Sequence, residues 1–137
     1  VAITPASGSV GPMGAIVVGF ASGVICFWGA TSLKQKLGYD DSLDAFGVHG
    51  IGGIVGCILT GIFVSSDLGG QGLPDGVTIV EQVLAQIYSL LVTIIYSGVL
   101  SFIILKIVDV VVGLRVDEDQ EQEGLDLSLH NERGYDL

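Results

Sequence analysis

The sequence predicts an all-α, polytopic membrane protein. Half of its 137 residues are hydrophobic and the mean hydropathy is +0.71, whereas the surface of a soluble domain of this size needs more charge. The apolar residues are concentrated in three long runs, which short turns rich in Gly, Pro and Asp separate. The formal net charge is −10, but most of the acidic residues follow Val116, so the apolar runs stay almost free of charge.

The first transmembrane helix is predicted at 12–35. Residues 1–11 are small and rich in Gly and Ser, which favours a helix end and a loop on the extracytoplasmic side. Pro12 suits the first helical position, where its missing N–H would have no partner anyway. The apolar run that follows reaches Lys34 and Lys36 without a charge, and it is long enough to cross a hydrocarbon core.

A short cytoplasmic turn at 36–42 precedes the second transmembrane helix, predicted at 43–65. Within the turn, Asp40, Asp41 or Ser42 could cap the helix by accepting hydrogen bonds from its free N–H groups. Glycine recurs at every third residue of the helix, at Gly47, Gly50, Gly53 and Gly56. Such a row lets a neighbouring backbone come close, and it is also compatible with a narrow pore lined by bare backbone.

The third transmembrane helix is predicted at 77–113, after a turn-rich extracytoplasmic loop at 66–76 that lacks Lys and Arg. Its apolar run of about 36 residues would be roughly 54 Å long at 1.5 Å per residue, which exceeds a hydrocarbon core of about 30 Å. The helix must therefore tilt, bend or project from the membrane. Residues 114–137 follow as an acidic C-terminal tail.

The basic residues predict the orientation. With three spans, the ends of the first and third helices lie on one side together with the tail. All five Lys and Arg residues fall on that side, at Lys34, Lys36, Lys106, Arg115 and Arg133. The positive-inside rule makes this side cytoplasmic, so we expect a multi-pass protein of the cytoplasmic membrane with a cytoplasmic C-terminus.

His49 lies inside the apolar second helix, where a charged side chain costs about 2.5 kcal/mol or more on insertion scales. Neutral imidazole is the cheaper form, and it both donates and accepts a hydrogen bond. Small residues, among them Ala45 and Gly53, leave room beside the ring. A satisfied structural histidine is the alternative, but an ionisable residue at this depth more often indicates function, here a pathway for a small polar species.

Asp44 is the second candidate. It lies at the cytoplasmic start of the second helix, where the helix dipole favours a carboxylate. Capping or a hydrogen-bonded network is one interpretation, and direct contact with a cation is the other.

Nothing in the sequence indicates catalysis. It contains no nucleophile with a base beside it, no phosphate-binding loop and no basic patch for nucleic acid. Cys26 and Cys57 lie in apolar runs without metal-ligand spacing, so we interpret them as small buried hydrophobic residues. We therefore expect a protein that is not an enzyme, with no cofactor, no metal site and no nucleic-acid partner.

The tail has two interpretations. Its acidic composition is typical of a solvated, disordered end. However, Leu125, Leu127 and Leu129 provide apolar anchors and Tyr135 provides an aromatic one. Ordered docking on the cytoplasmic face of the membrane domain, or on a partner, is therefore the alternative.

Four stretches of the chain resemble the ammonium transporter family (Amt/Mep/Rh). Residues 40–63 read DDSLDAFGVHGIGGIVGCILTGIF and are similar to the family element D-x-F-G-V-H-G-x-G-G-x-x-G, while VAITPASGSVGP resembles the segment before it. VGLRV and EQEGLDLSLHNERGYDL resemble the cytoplasmic tail of prokaryotic-type Amt proteins. Two positions depart from the family: Ala45, where a larger aliphatic residue is common, and Gly134, where Ala is common.

The resemblance implies a homotrimeric transporter with eleven transmembrane helices, of which this chain would be the last three and the tail. His49 would be one of a pair of pore histidines, with Ala45 beside it on the substrate path. Asp44 and Gly53 would have structural places near the pore. Ammonium would be deprotonated outside, and ammonia would cross the apolar pore of a protein embedded in the lipid bilayer.

For the tail, the resemblance implies regulatory contacts with neighbouring subunits and with a PII-type signal protein. The residues that match the family there are Arg115, Gly124, Leu125, Asp126, His130 and Tyr135. An ammonium sensor that acts through this tail is therefore an alternative to a transporter. A further alternative is an accessory subunit complete at three spans, although the opening residues read as the continuation of a longer chain.

Overall fold

A computed structural model describes residues 1–134 and confirms the all-helical prediction, since this part of the chain contains no strand. Three of its helices are long and apolar enough to cross a membrane, judged by length and composition. They are α1 (Pro12–Leu37), α2 (Phe46–Phe63) and α3 (Ile79–Val111). Two short helices, α4 (Glu118–Glu123) and α5 (Leu125–His130), follow in the tail.

α1 begins at Pro12, whose fixed φ is already that of a helix. The helix widens into a π-helical turn at Gly29–Leu33 and continues through Lys34–Leu37. It ends where Gly38 takes a left-handed φ of +64°, which glycine adopts without a steric penalty. The helix therefore extends past residue 35 and includes both lysines of its last turn.

α2 begins at Phe46, later than the sequence predicts, because Asp44 has a φ of +53° that a right-handed helix does not contain. Of the three possible caps, the Asp41 carboxylate accepts hydrogen bonds from the N–H groups of Ala45 at 2.8 Å and Phe46 at 2.9 Å. The first turn, Phe46–Gly50, is π-helical, and the rest of α2 is α-helical.

α1 and α2 are antiparallel neighbours. Near the start of α1, a Cβ on Gly14 would lie 3.0 Å from the Phe63 side chain at the end of α2. At the other end, a Cβ on Gly47 would lie 2.7 Å from the backbone nitrogen of Ala30. Contacts this short leave no room for a side chain, so glycine lets the two backbones meet.

The segment before α1 forms a series of tight turns that packs on the middle of α2. Ala2 is 1% exposed, and its backbone occupies the space that a side chain on Gly56 would need. The Gln71 N–H donates to the Ser9 carbonyl at 3.0 Å. This bond joins the segment to the loop that follows α2.

α3 begins with a capping box. The Thr78 N–H donates to the Glu81 carboxylate at 2.8 Å, and the Glu81 N–H donates to the Thr78 hydroxyl at 3.2 Å. Farther along, the Cys57 thiol of α2 donates to the side-chain oxygen of Gln86 at 2.9 Å. A Cβ on Gly61 would lie 3.2 Å from the same glutamine, so α3 approaches α2 closely there.

The chain divides after Ile94, within α3, into two compact units. In the second unit, the Arg115 guanidinium donates to the carboxylate of Glu121 at 2.9 to 3.2 Å. Gly124, with a φ of +97°, separates α4 from α5. The acidic tail therefore has helical structure of its own, whereas the predicted anchor Tyr135 lies outside the described residues.

Candidate functional site

His49 lies in the π-helical first turn of α2, exposed on an open groove of about 820 Å³. The groove runs between the N-terminal segment, α2 and the first half of α3. Apart from the imidazole, its lining consists mostly of apolar side chains and bare backbone, with two threonines. The residues are Val1, Thr4, Pro5, Phe46, Gly50, Gly53, Ile54, Leu90, Thr93 and Ile94. A small polar molecule in this groove would therefore find the imidazole among few other polar groups.

The four glycines predicted as one row along α2 do not share one face. The buried row is instead Gly47, Gly52, Gly56 and Thr60. Its first step is one residue longer than the others, because it crosses the π-helical turn, whose hydrogen bonds span one residue more than those of an α-helix. Gly53 has open space where a Cβ would be, and it lines the groove.

Asp44 and Ala45 are not among the residues that line the groove. The Asp44 carboxylate accepts a hydrogen bond from the Lys34 ammonium at 2.8 Å, in a partly exposed ion pair. The same ammonium donates to the Asp41 carbonyl. Ala45 is exposed, and its N–H is held by the Asp41 carboxylate. Both residues are thus part of the turn that precedes His49.

Cys26 contacts the same turn from α1. Its thiol donates a weak hydrogen bond to the Val48 carbonyl over 3.7 Å, and a Cβ on Gly52 would lie 3.1 Å from its sulfur. Because Val48 directly precedes His49, the thiol touches the backbone that carries the ring. Composition gave no signal of this contact, since the two residues meet only when α1 packs on α2.

The profile of the Ammonium Transporter Family matches residues 1–135. The chain belongs to the ammonium transporter family. It is 48% identical over 138 residues to "Ammonium transporter" of Aquifex aeolicus (strain VF5), which covers 100% of this chain and 32% of that relative. It is 45% identical over 137 residues to "Ammonium transporter" of Bacillus subtilis (strain 168), with 98% of this chain and 34% of the relative covered.

An archaeal relative matches over nearly the same share of the chain. The chain is 40% identical over 135 residues to "Ammonium transporter Amt1" of Archaeoglobus fulgidus, with 98% of this chain and 34% of the relative covered. The chain thus spans about a third of the length of these curated ammonium transporters.

In this chain, the run D-x-F-G-V-H-G coincides with the turn that begins α2. Asp44 pairs with Lys34, and Gly47 meets the α1 backbone. A Cβ on Gly50 would lie 2.9 Å from the ring of Phe46. His49 remains as the one long polar side chain that this turn presents to the groove. Phe46 and Gly50 of the same run also line the groove, whereas Asp44 and Gly47 make their contacts with α1.

Apart from Tyr135, which lies outside the described residues, the tail residues that resemble the ammonium transporter family lie around α4 and α5. Arg115 binds Glu121 of α4, Asp126 is in the first turn of α5, and His130 is its last residue. Leu125 is 44% exposed, which leaves an apolar side chain open to solvent. Within residues 1–134, no group of three or more His, Cys, Asp or Glu residues is arranged to hold a metal ion.

Proposed function

We propose that this chain forms one wall of a narrow apolar pathway that carries ammonium, as ammonia, across the cytoplasmic membrane. The observation that carries the proposal is the placement of His49. Its ionisable ring belongs to a helix able to span a membrane, and it is exposed on a groove of mostly apolar residues. The curated relatives, which are named ammonium transporters, support the choice of permeant.

The permeant crosses as ammonia because of the cost of moving a charge. An ion that leaves water for an apolar passage loses solvation worth many kcal/mol, whereas a neutral molecule with a few N–H groups loses far less. Ammonium therefore gives up one proton before the passage and recovers one after it. No covalent product forms, so we propose a transporter rather than an enzyme.

His49 guides ammonia through this passage. Neutral imidazole donates a hydrogen bond through one nitrogen and accepts one through the other. A single ring can relay a proton only to a partner, so we propose that His49 pairs with a second histidine elsewhere in the complete protein. Gly53 and Gly50 keep the space beside the ring free of side chains, while Asp44 stabilises the turn and does not contact the permeant.

We further propose a multi-pass homotrimer with its C-terminus in the cytoplasm. The basic residues at the ends of α1 and α3 support this orientation. The tail then faces the cytoplasm, and its helices present a surface on which a PII-type protein could bind. The exposed Leu125 beside acidic residues gives that surface both apolar and charged character.

The test is transport by the protein expressed from its complete gene and reconstituted in liposomes. His49→Ala removes both the donor and the acceptor, so we expect methylammonium uptake to change by about tenfold or more, the scale of one lost hydrogen bond. Gln71→Ala, in the loop outside the groove, is the control and should leave uptake unaltered. The proposal is wrong if His49→Ala leaves rate, selectivity and proton coupling unchanged.

The helical order of the tail favours one alternative, an ammonium sensor that signals through its cytoplasmic end. Deletion of the residues after Val116 distinguishes the two functions. Loss of regulation with uptake retained would support the sensor. Loss of uptake would instead show that the tail is coupled to the pathway.

A further inference from the structure

Lys34 is the cation that organises the turn between α1 and α2. Its ammonium donates to the Asp44 carboxylate at 2.8 Å and also to the Asp41 carbonyl. The lysine side chain is 28% exposed, so much of its length is covered by the protein. A compact ammonium has three donors that point in different directions, and it can serve a carboxylate and a carbonyl together.

Both partners of Lys34 determine where α2 begins. Asp41 accepts hydrogen bonds from the first N–H groups of α2 through its carboxylate, while its carbonyl is bound by Lys34. Asp44 has a φ of +53°, a conformation that costs energy for a residue with a side chain and persists where its surroundings impose it. The ion pair with Lys34 holds the side chain of this same residue.

The π-helical turn Phe46–Gly50 directly follows this anchored turn. Downstream, α2 is also anchored, because Gly56 lies against the Ala2 backbone and Gly52 against Cys26. A π-helical turn contains one residue more than an α-helical turn. To return to α-helix, the chain on one side of the turn must rotate about the helix axis, and it cannot do so when both sides are anchored. If the upstream anchor is lost, the turn can relax to α-helix, and a shift of one residue rotates a side chain by about 100°.

We propose that Lys34 is a positioning residue for His49, which it holds towards the groove by fixing the start of the π-helical turn. The inference rests on the proposed function of His49 in ammonia conduction. Lys34 does not line the groove, so it acts through the backbone and not on the permeant. Lys36, in the same last turn of α1, is exposed and makes no ion pair within residues 1–134.

The test uses the protein from its complete gene, reconstituted in liposomes, with four variants. Lys34→Met keeps the apolar stem and removes the charge, and Lys36→Met is the matched control. His49→Ala and the double variant complete a double-mutant cycle. Methylammonium uptake, ammonium currents and the ratio of the two are measured, together with the thermal midpoint of each protein.

We expect Lys34→Met to lower uptake about tenfold, the scale of a lost charge-assisted hydrogen bond, and to alter the ratio of methylammonium to ammonium transport. Lys36→Met should stay within about twofold of the parent protein. Because Lys34 acts through His49, adding Lys34→Met to His49→Ala should change uptake by no more than about twofold. A purely structural lysine would lower stability without this dependence on His49.

Three results would overturn the inference: unchanged uptake and selectivity in Lys34→Met, an equal effect of Lys36→Met, or effects that multiply in the double variant. If Lys34→Met does not reach the membrane, Asp44→Asn, which keeps an acceptor but removes the charge, is compared in the same cycle and judged by the same outcomes. If His49→Ala leaves uptake and currents unchanged, the proposed function itself is refuted. If His49→Ala changes uptake but Lys34→Met does not, only the positioning role of Lys34 is refuted.

Discussion

Gly53 and Gly56 lie about one turn apart on α2, yet substitution by alanine should affect stability in opposite directions. At Gly56, the added Cβ would lie 2.7 Å from the carbonyl carbon of Ala2 and 2.8 Å from its Cα. Carbon atoms in contact are normally about 3.5 to 4.0 Å apart, so the Ala2 backbone must retreat by about 1 Å. At Gly53, no heavy atom lies within 4 Å of the added Cβ.

The magnitude follows from two effects. Replacing glycine by alanine inside a helix stabilises it by about 1 kcal/mol, and this gain is the same at both positions. Overfilling a packed site costs about 1 to 3 kcal/mol, and backbone, unlike a side chain, cannot rotate away. The difference between the two variants is therefore the packing cost alone, about 1 to 3 kcal/mol, with Gly56→Ala the less stable.

The measurement is the thermal midpoint of the two variants and the parent, each expressed from the complete gene and purified in one detergent. Gly56→Ala should unfold below the parent, and Gly53→Ala at or above it. Equal midpoints for the two variants would refute the close contact between residues 1–9 and α2. A loss of stability in Gly53→Ala alone would show that the groove is filled by packed side chains in the complete protein.

Three further changes test the turn between α1 and α2. Asp41→Ala removes the cap of α2, which should lower the free energy of unfolding by about 0.5 to 2 kcal/mol, measured against Asp41→Asn, which retains an acceptor. Tyr39→Phe removes a buried hydroxyl that has no hydrogen-bond partner within residues 1–134, so the thermal midpoint should stay or rise, and a clear fall would reveal a partner. Gly47→Ala, whose Cβ would lie 2.7 Å from Ala30, should lower the midpoint and slow methylammonium uptake, and normal behaviour in both assays would contradict the backbone contact.

The three membrane-spanning helices could be predicted because the evidence for each is local. A run of about 20 apolar residues is long enough to cross a bilayer whatever the rest of the chain does, and Pro12 marks a helix start by its own fixed φ. His49 could be singled out for a similar reason, since an ionisable residue inside such a run is unusual wherever it occurs. In the structure the ring is exposed on a groove, and its role in transport stays a prediction.

The roles of the glycines could not be predicted from their spacing. A period of three residues places Gly47, Gly50, Gly53 and Gly56 in one slowly drifting row, on the assumption of a uniform helix. The π-helical turn adds a residue between Gly47 and Gly52, so the buried row follows a different set of positions. Which glycine meets a backbone and which lines the groove depends on segments far away in the chain.

The sequence by itself determined that this protein has three apolar helices, an ionisable ring within the second and basic residues at the ends of the first and third. These properties depend only on which residues lie close together in the sequence, so they are the same for any arrangement of the helices. Only the tertiary structure decided how the ring is presented. These contacts form only when the helices pack, because no helical period and no sequence spacing brings their partners together. They are Lys34 with Asp44, Cys26 with Val48, and Ala2 with Gly56.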